Sequence, residues 1–366
     1  MTPLLTRIDQ DLVQRRCPDR RAELQAERAA YLARVGSFSD ARSALADVRQ
    51  THADGRDPRV SVALMVAEGV LHCFEDFNPR ARDRLQRAHL LSESCGLADL
   101  SALSAAWLAQ VEFLCGDVPA LQRWLAYWQP VPVAAGTAAD LRFGLVYANA
   151  LMACGETRRA RPWYERTRQG AVDLGDEATI AASLHDKAAA GLDRHRTDPA
   201  NAAADVGSLD LVAMEVASAY NFRVGAGHQS LLPAAQACRA RVLLLQGRHA
   251  AARALLEPLL DTPALRLNFV PDTLLLRLEH AACLHALGET ARATEVYAAI
   301  DVRRHAQLLP KDRMLFLALL GQVSEALGFA PLSPELADAL QQARSAWLAA
   351  RTGLRAALLA HPAAAL

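Results

Sequence analysis

The sequence predicts an all-α fold, an array of about eight helical hairpins stacked in chain order and finished by a long C-terminal helix. Three observations predict it. The first is a recurring pattern. Gly288-Glu289-Thr290-Ala291-Arg292-Ala293-Thr294-Glu295-Val296-Tyr297 and Gly155-Glu156-Thr157-Arg158-Arg159-Ala160-Arg161-Pro162-Trp163-Tyr164 both read Gly-Glu-Thr, with Ala five residues after the Gly and Tyr four after that Ala. Looser copies stand at Gly36-Ser37-Phe38…Ala41…Leu45, at Gly247…Ala252…Leu256 and, without the Gly, at Asp76-Phe77…Ala81…Leu85. The second is a small residue seven positions before each turn: Ala29, Gly69, Ala109, Ala148, Ala240, Ala281 and Gly321. The third is spacing. Turns at 36, 76, 116, 155, 247, 288 and 328 are separated by 40, 40, 39, 92, 41 and 40 residues, and the long interval has room for two longer units, with the missing turn near Asp198-Pro199.

Each part of the pattern has a physical role in a helix–turn–helix. Gly lacks a Cβ and takes the left-handed conformation that ends a helix. Glu, Thr, Ser or Asp next to it suits the following helix start, where free N–H groups and the dipole favour oxygen acceptors. The Ala then lies inside the second helix with the bulky residue one turn later on the same face. The small residue in the first helix lets the pair cross closely. A period near forty is the regime of stacked helical repeats.

The quoted residues resemble the tetratricopeptide-repeat family: its small residue in the first helix, its turn Gly, and its Ala-x-x-x-aromatic in the second. That family's usual period is 34, so this chain resembles the longer-period variety found in bacterial regulators and signalling proteins. The resemblance implies a right-handed α-solenoid and covers nearly the whole chain. It divides the chain into an N-terminal helix over 1–18, a repeat array over 19–330, and a C-terminal capping helix and tail over 331–366.

Composition agrees with helix. Apolar residues make up 52% and aromatics 5% of 366 residues, and β-branched runs are few. Lys plus Arg equals Asp plus Glu at 40 each, with no block of one sign, so a basic footprint for nucleic acid is missing. Only Lys187 and Lys311 are lysines. The seven cysteines form no Cys-x-x-Cys pair and read as reduced core residues of a cytoplasmic protein. The first residues run into charged helix without a signal-peptide core. No apolar run approaches the roughly 18 residues of a membrane span.

Along the chain, Thr2-Pro3 opens a helix ending near Cys17-Pro18, and the first hairpin covers about Asp19 to Thr51. His52–Asp57 reads as a polar linker. Asp57-Pro58 then restarts helix with a cap residue followed by Pro at the first helical position, a device repeated at Asn78-Pro79, Asp198-Pro199, Thr262-Pro263 and Ser333-Pro334. Trp124, Tyr127 and Trp128 precede the apolar loop Gln129–Gly136. They share one helix face and read first as core packing and second as an exposed docking patch. The stretch Gly175 to Gln229 is the least regular, with a helix over 205–222 and a flexible connection over Arg223–His228. The last helix runs from Ser333 to about Ala360 and leads to a frayed tail from His361 to Leu366.

No motif argues for chemistry. Gly225-x-Gly227 lacks the third Gly and the strand–turn–helix setting of a dinucleotide site, and no phosphate-cradling Gly-rich loop occurs. His280 and His285 are five apart and do not present one metal face. His185, Asp193 and His195 read as solvated helix residues. The chain therefore reads as non-enzymatic, with no cofactor and no metal.

Binding is expected in the concave groove lined by the first helix of each hairpin. Counting six back from the turns gives the polar residues Gln110, Asn149, Arg241 and Gln322, with Arg142 beside Asn149 and Met152 flanking them. Spaced amides and guanidinium groups among apolar side chains suit an extended peptide. The family's carboxylate clamp needs a Lys four residues before the Asn; here that residue is Leu145, so tail-carboxylate binding is not carried over. The expectation is a protein- or peptide-binding scaffold, with no nucleic acid and no membrane partner. The alternative is a regulatory sensor whose groove closes on a small ligand or signal peptide. Oligomeric state is not legible.

Overall fold

The computed structural model describes residues 2–52, 55, 57–128, 136–262, 273–361 and 363. It is all-helical at 83% helix, without a strand among the described residues, and its helices pack on their neighbours in chain order. The apolar loop after Trp128 and the Pro263 helix start fall outside the described residues.

An opening helix α1 (Pro3–Gln14) packs on α2 (Pro18–Val35), which pairs with α3 (Phe38–Thr51). Pairs α4 (Pro58–Glu75) with α5 (Arg80–Ser94), α6 (Ala98–Cys115) with α7 (Val118–Leu125), and α8 (Ala138–Cys154) with α9 (Thr157–Leu174) follow. The central α10 (Glu177–Thr197) carries two helices, α11 (Pro199–Val206) and α12 (Leu209–Gly225). Then come α13 (Leu232–Leu245) with α14 (His249–Leu260), α15 (Thr273–Ala286) with α16 (Thr290–Ala298), and α17 (Pro310–Ala326) with the 27-residue α18 (Pro334–Ala360).

The turn chemistry is as expected. Gly36, Gly116, Gly155, Gly247, Gly288 and Gly328 all have positive φ, and at the turn without Gly it is Phe77 that takes the left-handed region, at φ 50°. The missing turn is at Asp198, between α10 and α11. The small-residue register holds as well. Ala29, Ala109, Ala148, Ala240 and Ala281 are buried. A Cβ on Gly69 would fall 2.6 Å from Leu85 Cγ, the bulky residue of the same hairpin. Close crossing there depends on the missing methyl.

Residues 175–229 depart from expectation. The helix expected over 205–222 is broken at Gly207, whose φ of 91° and ψ of 177° only glycine adopts readily, and α12 continues through Arg223 to Gly225. Arg223 and His228, expected in a flexible connection, are buried.

Both ends of the chain return to its middle. At the N-terminal end the Gln229 N–H donates to the Val35 carbonyl at 2.8 Å, and Ser230 Oγ donates to the Arg34 carbonyl. Arg34 Nη2 donates to both oxygens of Asp176 at 2.9 Å, and the Leu4 N–H reaches the Gly175 carbonyl at 3.1 Å. At the other end α18 lies against α7 and α8. Tyr147 Oη donates to the Leu358 carbonyl at 2.9 Å, and Arg355 Nε donates to Glu156 Oε1 at 2.5 Å. His361, expected in a frayed tail, stacks on Trp128 with ring centroids 5.8 Å apart. Its Nε2–H donates to the Leu125 carbonyl, while Nδ1 accepts the Ala363 N–H, so both ring nitrogens have partners.

The consequence falls on α8. Every residue from Ala139 to Leu151 is buried, because α6, α9, α10 and α18 all pack on it. A helix enclosed on all sides has no solvent-facing stripe.

Candidate functional site

Where the returning C-terminal region meets the middle of the chain, a cavity of 420 Å³ remains. Its walls come from α6 (Gln110, Phe113), α8 (Asn149, Met152), α10 (His185, Asp186, Asp193), the start of α17 (Leu309, Lys311) and α18 (Trp347, Arg351, Leu354). A second cavity of 340 Å³ lies between α7 and α18 and shares Leu121 and Leu354 with the first. The main cavity falls within the size range of small-molecule sites, roughly 300–1,000 Å³, and has their composition, mostly apolar walls with a few convergent polar groups.

One wall is a chain of hydrogen bonds. Tyr164 Oη donates to Asn149 Oδ1 at 2.6 Å, and Asn149 Nδ2 donates to Asp186 Oδ2 at 2.7 Å. Tyr164 is the aromatic of the repeat pattern, so a packing residue also orients this amide. Burial pushes the Asp186 carboxyl above the usual carboxylate range, against the Asn149 hydrogen bond and the charges of Arg142 and Arg223.

Seven residues along, and so on the same face of α10, stands Asp193. Burial opposes its charge too, but Lys311 and Arg196 prevail and hold it below the usual range. Lys311 pairs with it directly and Arg196 Nη1 lies 3.4 Å away. Lys311 is held above its usual value by Asp193 and Asp312, against burial. His185 is pushed down to about 3 by burial and by the nearby Arg223, so its ring is neutral and able both to donate and to accept.

Of the six expected groove residues, the cavity gathers Gln110, Asn149 and Met152. Arg142 does not project into it. The guanidinium lies 4.0 Å from the Trp107 ring centroid and donates to Gln110 Oε1 at 3.5 Å. It is only 5% exposed, because the α8 face it shares with Asn149 is packed. Arg241 is spent on Glu279, donating to both its oxygens at 3.1 Å, while Arg196 takes the same carboxylate at 2.6 Å. Gln322 is exposed on α17, outside the cavity walls. The six do not form one groove.

The alternative patch is corrected as well. Trp128 is 2% exposed and donates its indole N–H to Asp140 Oδ1 at 3.1 Å. Trp124 is half-buried with its ring edge-on to His89, and Tyr127 alone is exposed, at 47%. Trp124 and Trp128 are packed around α7 and only Tyr127 of the three offers its ring to solvent.

Sequence reasoning missed Asp186, Lys311, Trp347 and Arg351, and took His185 and Asp193 for solvated residues. The last two line the cavity, while His195 Nε2 meets the Gly207 carbonyl at 3.0 Å. The pair Asp186 and Asp193, seven apart on a 21-residue helix, was a readable signal. The partner of Asp193, 118 residues away, was not. Among the described residues no three His, Cys, Asp or Glu gather as a metal site, and no helix is long and apolar enough to cross a membrane. No protein-family model matches the chain, and no curated protein matches it.

Proposed function

We propose that this chain is a tetratricopeptide-like helical-repeat protein, a right-handed solenoid bent until each end reaches its middle, that works as a regulatory sensor without catalysing a reaction. The observation that carries this reading is the 420 Å³ cavity walled by α6, α8 and α10 on one side and by α17 and α18 on the other. A ligand there touches elements more than 200 residues apart in sequence, such as Gln110 and Trp347. Its binding energy therefore bears on how firmly α18 is seated, and a protein partner that reads α18 reads the ligand. The open-groove scaffold keeps one point in its favour, the exposed Leu211, Met214 and Val224 of α12 at 44%, 68% and 50%. Its expected groove residues, however, are mostly buried or paired.

A thermal-shift screen of metabolites and short peptides tests the proposal. Compounds that bind raise the melting temperature and alter the tryptophan emission, to which Trp347 on the cavity wall contributes. They lose both effects when Ala350, exposed on α18 at the cavity wall, is replaced by Trp to fill the space. Hits that bind Ala350→Trp equally well, or a screen without hits while the protein captures a partner from lysate, would return the reading to the scaffold.

A further inference from the structure

The cavity walls carry charge of both signs, and most of it is already matched. Glu112 is paired with Arg82, Asp193 with Lys311, and Arg194 with Asp198 at 3.1 Å. Asp312 lies 3.8 Å from Lys311. Asp117 is exposed and caps α7 by accepting the Ala120 N–H at 3.0 Å. Asp186 is different. Its one hydrogen bond among the described residues is from the neutral amide of Asn149, and no cation there lies within ion-pair distance. The nearest guanidinium groups are engaged elsewhere: Arg142 on the Trp107 ring at 4.0 Å, Arg223 on the Ser230 carbonyl at 2.6 Å.

A carboxylate without a cation on the wall of a mostly apolar cavity is costly unless something in the cavity completes it. The site is also rigid. Tyr164 fixes Asn149 and Asn149 fixes one Asp186 oxygen, which leaves the other for an incoming donor. Phe113, Met152, Leu309 and Trp347 supply apolar surface on the same walls.

We infer that the cavity takes a ligand bearing a protonated nitrogen, an ammonium or guanidinium group, which docks on the Asp186 carboxylate while its apolar part lies against Phe113, Met152 and Trp347. The inference rests on the ligand-binding reading above and names the chemistry of the ligand. A charge-assisted N–H···O bond is roughly twice as strong as its neutral counterpart. The cavity therefore selects amines over their uncharged isosteres. A small amine and the free N-terminus of a short apolar peptide share this chemistry.

The test is calorimetric titration with phenethylamine, agmatine and the tripeptide amide Phe-Leu-Leu-NH2, each against an uncharged counterpart: phenethyl alcohol, N-acetyl-4-ureidobutylamine and N-acetyl-Phe-Leu-Leu-NH2. Wild type binds at least one charged member and weakens at least tenfold toward its neutral counterpart. Asp186→Asn, which keeps shape and the Asn149 hydrogen bond, loses at least tenfold in affinity for the charged member with an unchanged helical circular-dichroism spectrum. Whether the amine or the peptide binds identifies the source. Equal binding by Asp186→Asn, or binding of neutral members alone, overturns the inference and leaves the cavity reading intact. If these probes fail while the wider screen yields hits that Ala350→Trp abolishes, the cation inference fails; a screen without hits removes the sensor reading itself.

Discussion

Replacing Gly36 with Ala separates the first hairpin from the 228–231 segment. Gly36 ends α2 at φ 93°, a conformation that costs an L-residue about 1 kcal/mol. The larger effect comes from the other direction. A Cβ there would meet the backbone N of Ser230 and lie 2.8 Å from the Gln229 carbonyl carbon. Backbone cannot swing aside as a side-chain tip can. Both atoms belong to the Gln229–Ser230 peptide, whose N–H bonds to the Val35 carbonyl at 3.4 Å beside the Gln229 N–H at 2.8 Å, so relief of the clash disturbs both bonds. Strain and overpacking together amount to roughly 3 kcal/mol. Gly247 and Gly288, also at positive φ, have open space where a Cβ would go, and their Ala variants carry only the conformational cost of about 1 kcal/mol. Hydrogen exchange reads the difference. In Gly36→Ala, amides of α1–α3 and of 228–231 lose protection while α15–α17 keep theirs, and in Gly288→Ala the loss is small and local. Equal effects at the two positions would mean that the first hairpin is not docked on the 228–231 segment.

Acid destabilises the fold through two histidines held neutral. His228 is 2% exposed, neither ring nitrogen has a hydrogen-bond partner among the described residues, and burial with Arg223 and Arg34 pushes it down to about 4. Asp176 works the other way without prevailing. His185 goes down to about 3, first by burial and then by Arg223. The unfolded chain binds these protons near the ordinary value of about 6.5, before the folded chain does. Stability is therefore complete above that pH and falls as pH drops toward 4, by about 2 kcal/mol for each histidine at pH 4.5. Asp176, held low by Arg34 and Thr179 against burial, adds a loss in the same direction at still lower pH. Asp186, raised by burial, opposes it, since protonation relieves its buried charge. Melting curves from pH 7.5 to 4.5 check this with His228→Leu, which removes one ring and leaves no new unpaired polar group. Wild type loses stability steeply and the variant less so. Parallel curves would show that His228 does not titrate differently in the two states.

Local structure was far more legible than the site. The turn pattern, the small residue seven before it and the period near forty together placed seven turns and the eighth near Asp198, because each rests on contacts within one hairpin: Gly288 against the helix it ends, or Gly69 beneath Leu85. What escaped was long-range. Counting six back from a turn gives a solvent-facing residue only when the array stays open. Here the chain bends until α18 reaches α8, so Asn149 and Arg142 are enclosed. Arg241 was misread for the same reason, since Glu279, its carboxylate partner, lies on a different hairpin. His361 looked like tail because the Trp128 ring that stacks on it is more than 200 residues away. Asp186 and Asp193 gave a signal in their shared helix face, but solvated carboxylates seven apart are common, and the single Lys that marks Asp193 as inward could not be paired by sequence.

Closure of the chain on itself is the central claim, and cross-linking across the seam tests it most directly. Glu156 and Arg355, a salt bridge 199 positions apart between α8's end and α18, are replaced by Cys in a background with the exposed Cys17 and Cys95 changed to Ser. A short bismaleimide then bridges them within one molecule. Denaturing electrophoresis shows a monomer of altered mobility at high yield even in dilute protein, and neither single-Cys variant gives it. If the double variant reacts at both thiols yet no intramolecular bridge forms, α18 does not lie on α8, and the cavity loses its α18 wall.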